Sequence, residues 1–219
     1  CKDYEMIIID GGSSDGTREW LKLLNEEKIH WSSEPDRGIF DGMNKGLEKA
    51  TGEYLIFLNS FDEFESDDLL ERVSQKIHSS KTQPMFIYGD SIDLTAEGKR
   101  LYKKARHHKN NWKGLFTSHQ AMLFRNDTGI QFPLKYPVTA DYAFVSEYLK
   151  RTREQEILVL NFPVCIFKLG GTNETARFKA LEEDFSIRRE IMGLPWGKAF
   201  LLFILHFGHT VLKRILPGI

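Results

Sequence analysis

Residues 4–17 read Tyr4-Glu5-Met6-Ile7-Ile8-Ile9-Asp10-Gly11-Gly12-Ser13-Ser14-Asp15-Gly16-Thr17. Apolar residues 6–9, followed at once by Gly, Ser and Asp, predict a buried strand that empties into a loop. A helix carrying Trp20, Leu21, Leu23 and Leu24 is expected next. A strand that ends in a carboxylate, then a Gly/Ser loop and a helix, can bind a nucleotide. Asp10 would accept from a base N–H or a ribose hydroxyl, and the glycines would let backbone approach closely. The same residues also make ordinary turns, and Asp15 serves equally as a cap for the helix opening at Gly16-Thr17-Arg18.

Outward from this stretch, strand and helix signals alternate. His30–Glu34 reads as a second strand. Phe40, Met43, Leu47 and Ala50 share a helical face, which Gly52 closes. The continuous apolar run 54–58 is the clearest strand, and it delivers Asn59-Ser60-Phe61-Asp62 to its carboxyl end, where open α/β sheets bind ligands. Ser66 is placed to cap a helix with Leu69, Leu70, Val73 and Ile77 inside. Residues 85–90 read as another strand. The alternation predicts an α/β fold with a mostly parallel sheet and flanking helices. Beyond residue 91 shorter strands (99–102, 121–124, 164–167) mix with loops and a helix over 140–151. This half is expected to sit on the first, so that 1–193 make one domain.

The chain has 219 residues, enough for one well-buried core; 41% are hydrophobic and 28% charged, as in soluble globular proteins. The formal net charge of -1 lacks the basic surplus of a nucleic-acid binder. Cys1 and Cys165 fit no disulfide or metal framework, and Cys165, inside an apolar run, reads as a small buried hydrophobe. A reducing cytoplasm follows. The tail, 194–219, is expected to form an amphipathic helix. Its uncharged stretch 199–212 would be about 21 Å long, short of the ~20 residues a bilayer crossing needs. A helix lying in the membrane interface, or one docked on protein, fits that length.

Three further residues carry candidate chemistry. Asp62 could hold a divalent cation against a diphosphate, or merely open the helix that follows. Asp141 starts the 140–151 helix and could act as a general base, although an acid there also suits the helix dipole. His119 precedes an apolar strand, where a lone His is commonly structural. Residues 99–113 hold seven Lys or Arg, two His and no acid. That run suits a diphosphate-bearing acceptor or an anionic membrane surface, and equally a solvated loop.

Together, Ile7 to Thr17, Ser33-Glu34-Pro35-Asp36-Arg37-Gly38-Ile39-Phe40-Asp41-Gly42-Met43-Asn44-Lys45-Gly46, Thr51 to Asp62, Tyr88-Gly89-Asp90, Ser118-His119-Gln120-Ala121, Ala140-Asp141-Tyr142 and Gly170-Gly171 resemble, in order and spacing, the family 2 glycosyltransferases of GT-A fold (nucleotide-diphospho-sugar transferase-like). The exopolysaccharide branch of colanic-acid type, with its fucosyltransferase-like members, is most similar. The resemblance implies inverting transfer of a sugar from a GDP- or UDP-sugar to a glycan acceptor in bacterial exopolysaccharide biosynthesis; a lipid-diphosphate-linked glycan would suit both the basic run and the tail. It implies nucleotide-sugar contacts from Asp10, Gly11, Arg37, Asp41 and Asn59, with Mn²⁺ or Mg²⁺ on Asp62 and Asp141 as catalytic base. His119, Gln120, Gly170 and Gly171 would lie on the acceptor side. Residues 1–90 would be the nucleotide-binding half and 91–193 the acceptor half. The amphipathic tail, by its own apolar pattern, would hold the chain peripherally on the inner face of the cell membrane.

Two departures stand out. Relatives commonly place Asp or Gly before the metal-site Asp, where this chain has Phe61. Relatives also open with a strand and helix ahead of the Asp10 strand, so the chain is expected to be N-terminally truncated, with an exposed sheet edge. Rival readings are a non-catalytic nucleotide-sugar or acceptor-binding subunit, an inactive fragment, a phosphohydrolase using Asp62 and Asp90, and a membrane-docked scaffold.

Overall fold

The computed structural model describes residues 3–170 and 176–215. The Met6–Asp10 run forms strand β1, and after helix α1 (Thr17–Leu21) strand β2 (Ile29–Ser33) returns parallel to it, Met6 opposite Ile29 and Asp10 opposite Ser33. Helix α1 stops sooner than expected. Only Leu21 is buried on it, and Leu23 lies past its end, 80% exposed. Residues 25–28 (Asn-Glu-Glu-Lys) offer no apolar side chain to extend an inner face. Helix α2 (Ile39–Lys49) follows and buries Phe40, Met43 and Asn44.

Among the described residues the larger sheet has six strands. Strand β3 (Tyr54–Ile56) lies at one edge and β4 (Glu63–Phe64) at the other. Between them run β7 (Met122–Arg125), β5 (Phe86–Leu94) and β8 (Ile157–Lys168), and β6 (Arg100–Lys103) pairs with β5. Helices α3 (Leu69–His78) and α4 (Ala140–Arg151) flank it. The α/β architecture is the expected one, but strand directions differ from a mostly parallel sheet. Only β5–β8 is parallel here; β3–β7, β5–β7, β4–β8 and β5–β6 are antiparallel. A hairpin joins β5 to β6, and β8 is reached from β7 through α4, so the second half of the chain doubles back instead of repeating βαβ units.

Helix α4 has the bounds read from the sequence. Its rings join the core: Phe132 and Phe144 stack with centroids 4.2 Å apart, and Phe124 and Tyr148 pack edge-on to one another. Strand β3 ends at Ile56, not at 58, because Phe57 turns into this aromatic cluster. The α3 cap also differs. Asp68 occupies the N-cap and the Ser66 hydroxyl donates to its carboxylate at 2.6 Å. Cys165 is free and buried, and burial pushes its thiol up to about 12, which makes it chemically inert at neutral pH.

No ladder joins the two sheets among the described residues. Glu5 bridges them by accepting from the Thr51 and Gly52 amides, each at 2.7 Å. Asn44 ties α2 to the core through reciprocal hydrogen bonds with the Phe132 backbone at 2.8 and 2.9 Å. Helix α5 (Arg177–Glu190) and the tail helix α6 (Trp196–Ile215) close the fold, meeting through Phe178–Phe207 and Phe185–Phe203. No helix among the described residues is long and apolar enough to cross a membrane.

Candidate active site

Past β3 the chain turns at Asn59-Ser60-Phe61-Asp62, closed by the Asp62 amide donating to the Asn59 carbonyl at 3.1 Å. Phe61 has φ 74°, the one positive φ among the described non-glycine residues. A side chain in that region costs roughly 1–2 kcal/mol. The ring is 79% exposed, and its recorded contact is with the Lys168 ammonium, 5.0 Å from its centroid. Phe61→Gly is therefore expected to raise stability by about 0.5–1 kcal/mol after the glycine entropy cost. Thermal unfolding checks this; a lower melting temperature would mean that the ring contributes more than the turn costs.

The turn presents Asp62 to two other elements. Its Oδ1 accepts from the Lys168 amide at the end of β8 (3.2 Å), and its Oδ2 accepts from Gln120 Nε2 (2.6 Å). Gln120 belongs to the short 3₁₀ turn His119–Ala121. The neighbouring His119 places Nδ1 3.3 Å from Asp141 Oδ2, and both side chains are largely buried. Asp141 Oδ1 takes the Tyr142 amide at 2.8 Å. Two carboxylates 79 residues apart in the chain are thus joined through adjacent side chains of one turn.

Close backbone packing places that turn. Thr117 donates to the Gly89 carbonyl at 2.9 Å, where β5 and β8 slip register. A Cβ on Gly89 would lie 2.7 Å from Val164 Cγ2 and 2.8 Å from the Phe162 carbonyl, so only glycine permits this approach. Helix α5 fixes the Asp141 side. Glu183 accepts from the amides of Val138 (3.0 Å) and Thr139 (2.9 Å), which holds the start of α4. Arg188, 0% exposed, donates to the Trp112 carbonyl at 2.9 Å and to Asp184 at 3.2 Å.

Burial pushes the Asp184 carboxyl from 3.8 up to about 6, with Arg188 opposing and Asp141 adding to the rise. The folded state therefore holds this proton more tightly than the unfolded chain. The stability contributed is fully present below pH ~3.8 and is lost as pH rises through ~6, up to about 3 kcal/mol in all. Asp184→Asn is expected to flatten this fall, which denaturant unfolding at pH 4 and pH 7 would measure. Equal pH slopes in the two proteins would place the coupling elsewhere.

A second cluster forms at the carboxyl end of β1. Asp10 accepts from the Ser13 amide and hydroxyl and from the Ser33 hydroxyl (2.7 Å). The Ser13 hydroxyl, then that of Ser33, holds its carboxyl below the usual range. A Cβ on Gly11 would lie 2.6 Å from Asp36 Oδ2. Arg37 donates to Asp41 from its guanidinium (2.7 Å) and its amide (3.1 Å), and this contact lowers the Asp41 carboxyl.

The candidate residues therefore fall into two groups: Asp62, His119, Gln120 and Asp141 in one, Asp10, Gly11, Arg37 and Asp41 in the other. Asn59 belongs with the first as the closing carbonyl of the Asp62 turn. No hydrogen bond or ion pair recorded among the described residues links the groups directly. Gly170 is exposed with φ 107°, two residues past Lys168; Gly171 lies outside the described residues. Sequence reasoning missed Lys168, Glu183, Asp184 and Arg188. A strand-end amide, and helix side chains whose partners lie on distant segments, carry no signal of what they will meet.

Asp62 suits a hard divalent cation. Among the described residues each of its oxygens carries one hydrogen bond and keeps lone pairs for a further partner. A single carboxylate matches the mode in which Mg²⁺ or Mn²⁺ takes one or two carboxylates plus substrate phosphates. Among the described residues, the one preformed group of three ligand side chains is His107, His108 and Glu154. It is a poor cage. His107 Nδ1 accepts the Lys109 amide, which leaves the proton of the neutral ring on Nε2, and the Lys109 ammonium pairs with Glu154. Asp90 is buried, and its oxygens accept from the Tyr102 hydroxyl and from the Ala105 amide at 2.8 Å.

Known proteins agree with this architecture. The model of the glycosyl transferase family 2 matches residues 1–130, more than half of the chain. The chain is 29% identical over 234 residues to the PGL/p-HBAD biosynthesis glycosyltransferase of Mycobacterium bovis (strain BCG / Pasteur 1173P2), covering 98% of this chain and 83% of that one. Its fold is similar to the crystal structure of S. aureus TarS 1-349, with TM-score 0.64 and 16% identity over 92% of this chain. The same TarS fragment in complex with UDP-GlcNAc gives TM-score 0.63 at 15% identity over 94% of this chain. The chain spans 60% and 63% of those TarS chains. The chain thus belongs to glycosyl transferase family 2 and is a glycosyltransferase of GT-A fold.

Proposed function

We propose that this glycosyltransferase moves a sugar from a nucleoside-diphosphate donor to a hydroxyl of a glycan acceptor, with inversion at the anomeric carbon. The observation that carries the reading is the turn His119–Ala121, whose adjacent side chains hold Asp62 and Asp141. Asp141 takes the acceptor proton as the acceptor oxygen bonds to the anomeric carbon. The bond from that carbon to the diphosphate oxygen breaks, and its electron pair leaves with the nucleoside diphosphate. One displacement needs one base and no covalent intermediate. A divalent ion held by Asp62, when bound, offsets the charge on the departing diphosphate.

His119 is a positioning residue that orients Asp141; its Nε2 is buried with no hydrogen-bond partner among the described residues and is the atom left to meet a substrate hydroxyl or a water. Asp10, Gly11, Arg37, Asp41 and Asn59 hold the nucleotide sugar, so that residues 1–90 serve the donor and 91–193 the acceptor. Gly170 and Gly171 belong to the acceptor side. Support for a nucleotide sugar comes from fold neighbours solved with UDP and with UDP-GlcNAc. The fucosyltransferase-like resemblance favours GDP-fucose. A lipid-diphosphate-linked exopolysaccharide precursor at the inner face of the cell membrane is the acceptor class in this reading, since such a glycan suits both the basic run 99–113 and the apolar tail.

Calorimetric titration of the chain with GDP- and UDP-sugars, with and without Mn²⁺, tests donor binding. Nuclear magnetic resonance of the transfer product reads its anomeric configuration. Retained configuration would overturn the single-displacement reading, and donor binding without transfer to any glycan would favour a non-catalytic subunit.

A further inference from the structure

Helix α6 has two unlike apolar faces. Its inner face carries buried Ala199 and Leu202, with Phe203 against Phe185 of α5. Its outer face carries Phe200, Leu201, Ile204, Leu205, Leu212 and Ile215, each 40–68% exposed. At 100° per residue these six fall within one half of the helix circumference, and no charged residue interrupts them. A surface helix normally turns polar residues outward, so a continuous apolar face marks an interaction site.

The charges around this face have one sign. Residues 195–219 contain no acid. Lys198 at the start of α6 lies 4.3 Å from the Trp112 ring centroid, and Lys113 lies 5.0 Å from it. The Trp112 carbonyl is itself held by buried Arg188 of α5. The basic run 99–113 is thereby fastened to the start of the apolar face, and exposed Arg214 stands near its far end. A second copy of the chain docked face to face about a two-fold axis would bring these cations against their own kind. An anionic bilayer complements both features.

We propose that the outer face of α6 and the Trp112–Lys113–Lys198 corner form one surface that lies on an anionic phospholipid bilayer, with the helix axis in the membrane plane. Apolar side chains enter the acyl boundary while Lys113 and Lys198 meet headgroup phosphates. The surface goes beyond the transfer reading, and its test needs neither donor nor acceptor.

The test is sedimentation of the chain with vesicles of mixed phosphatidylglycerol and phosphatidylcholine, and with phosphatidylcholine alone. Binding to the mixed vesicles is expected to be roughly tenfold tighter or more. The double variant Ile204→Glu/Leu205→Glu should lose binding to background while keeping the wild-type circular dichroism, since both side chains point outward. Lys113→Glu/Lys198→Glu should remove the preference for the anionic vesicles. Absent binding, equal binding to both vesicle types, or unchanged binding in either double variant would overturn the proposal. A lipid-free dimer that Ile204→Glu/Leu205→Glu dissolves would assign the face to a second copy and overturn it as well.

Discussion

Asp141→Asn is expected to leave donor affinity unchanged and to lower turnover by about 10²–10⁴-fold. Asparagine keeps the size of the side chain, and its amide oxygen can still accept the Tyr142 amide or face His119. It cannot take a proton. The helix start that carries it is held by Glu183 from outside the side chain, so the substitution should not loosen the site. Titration of donor gives the affinity, and initial rates with saturating acceptor give the turnover. Wild-type turnover in this variant would place the base elsewhere.

Asp62→Ala should act at the other end of the same turn and show a different signature. Disturbing the hydrogen bonds that support a metal ligand costs roughly 10–100-fold in metal affinity, and removing the ligand should cost at least that much. Mn²⁺-dependent donor affinity is thus expected to fall by about 100-fold or more, while the weak metal-independent component persists. The turn should survive, because it is closed by the Asp62 backbone amide and not by the carboxylate. Donor titrations with and without Mn²⁺ separate the two components. A variant with undiminished metal dependence would exclude Asp62 as the ligand.

Much of the fold was legible because burial leaves a local trace. The uninterrupted runs at 6–9 and 54–58 announced strands, and α4 was bounded by its own apolar residues and the Thr139–Asp141 start. Strand direction left no such trace. An apolar run is the same read up or down the sheet, and the antiparallel returns of β4, β6 and β7 depend on connections whose course is set in three dimensions. The site was legible by residue type and not by partnership. Asp62 and Asp141 stand out as acids at the ends of regular elements, but Gln120 meets Asp62 across 58 residues. The role of Glu183 in closing the start of α4 depends on α5 folding back from 45 residues downstream. Ser66 shows the reverse error: a favourable cap residue whose hydroxyl is spent on Asp68.

The division of the strands into two sheets bears on how the protein takes up its donor. The β1–β2 ribbon has ladder bonds only within itself among the described residues, and its ties to the rest are a few side chains such as Glu5 and the close fit of α2 against Ile9. Such a ribbon can detach at lower free energy than the interior strand β5, so its amide protons would exchange with solvent through a local opening. Any ligand gripped at Asp10 would then slow that exchange as it fills the site, because binding and docking of the ribbon share one equilibrium.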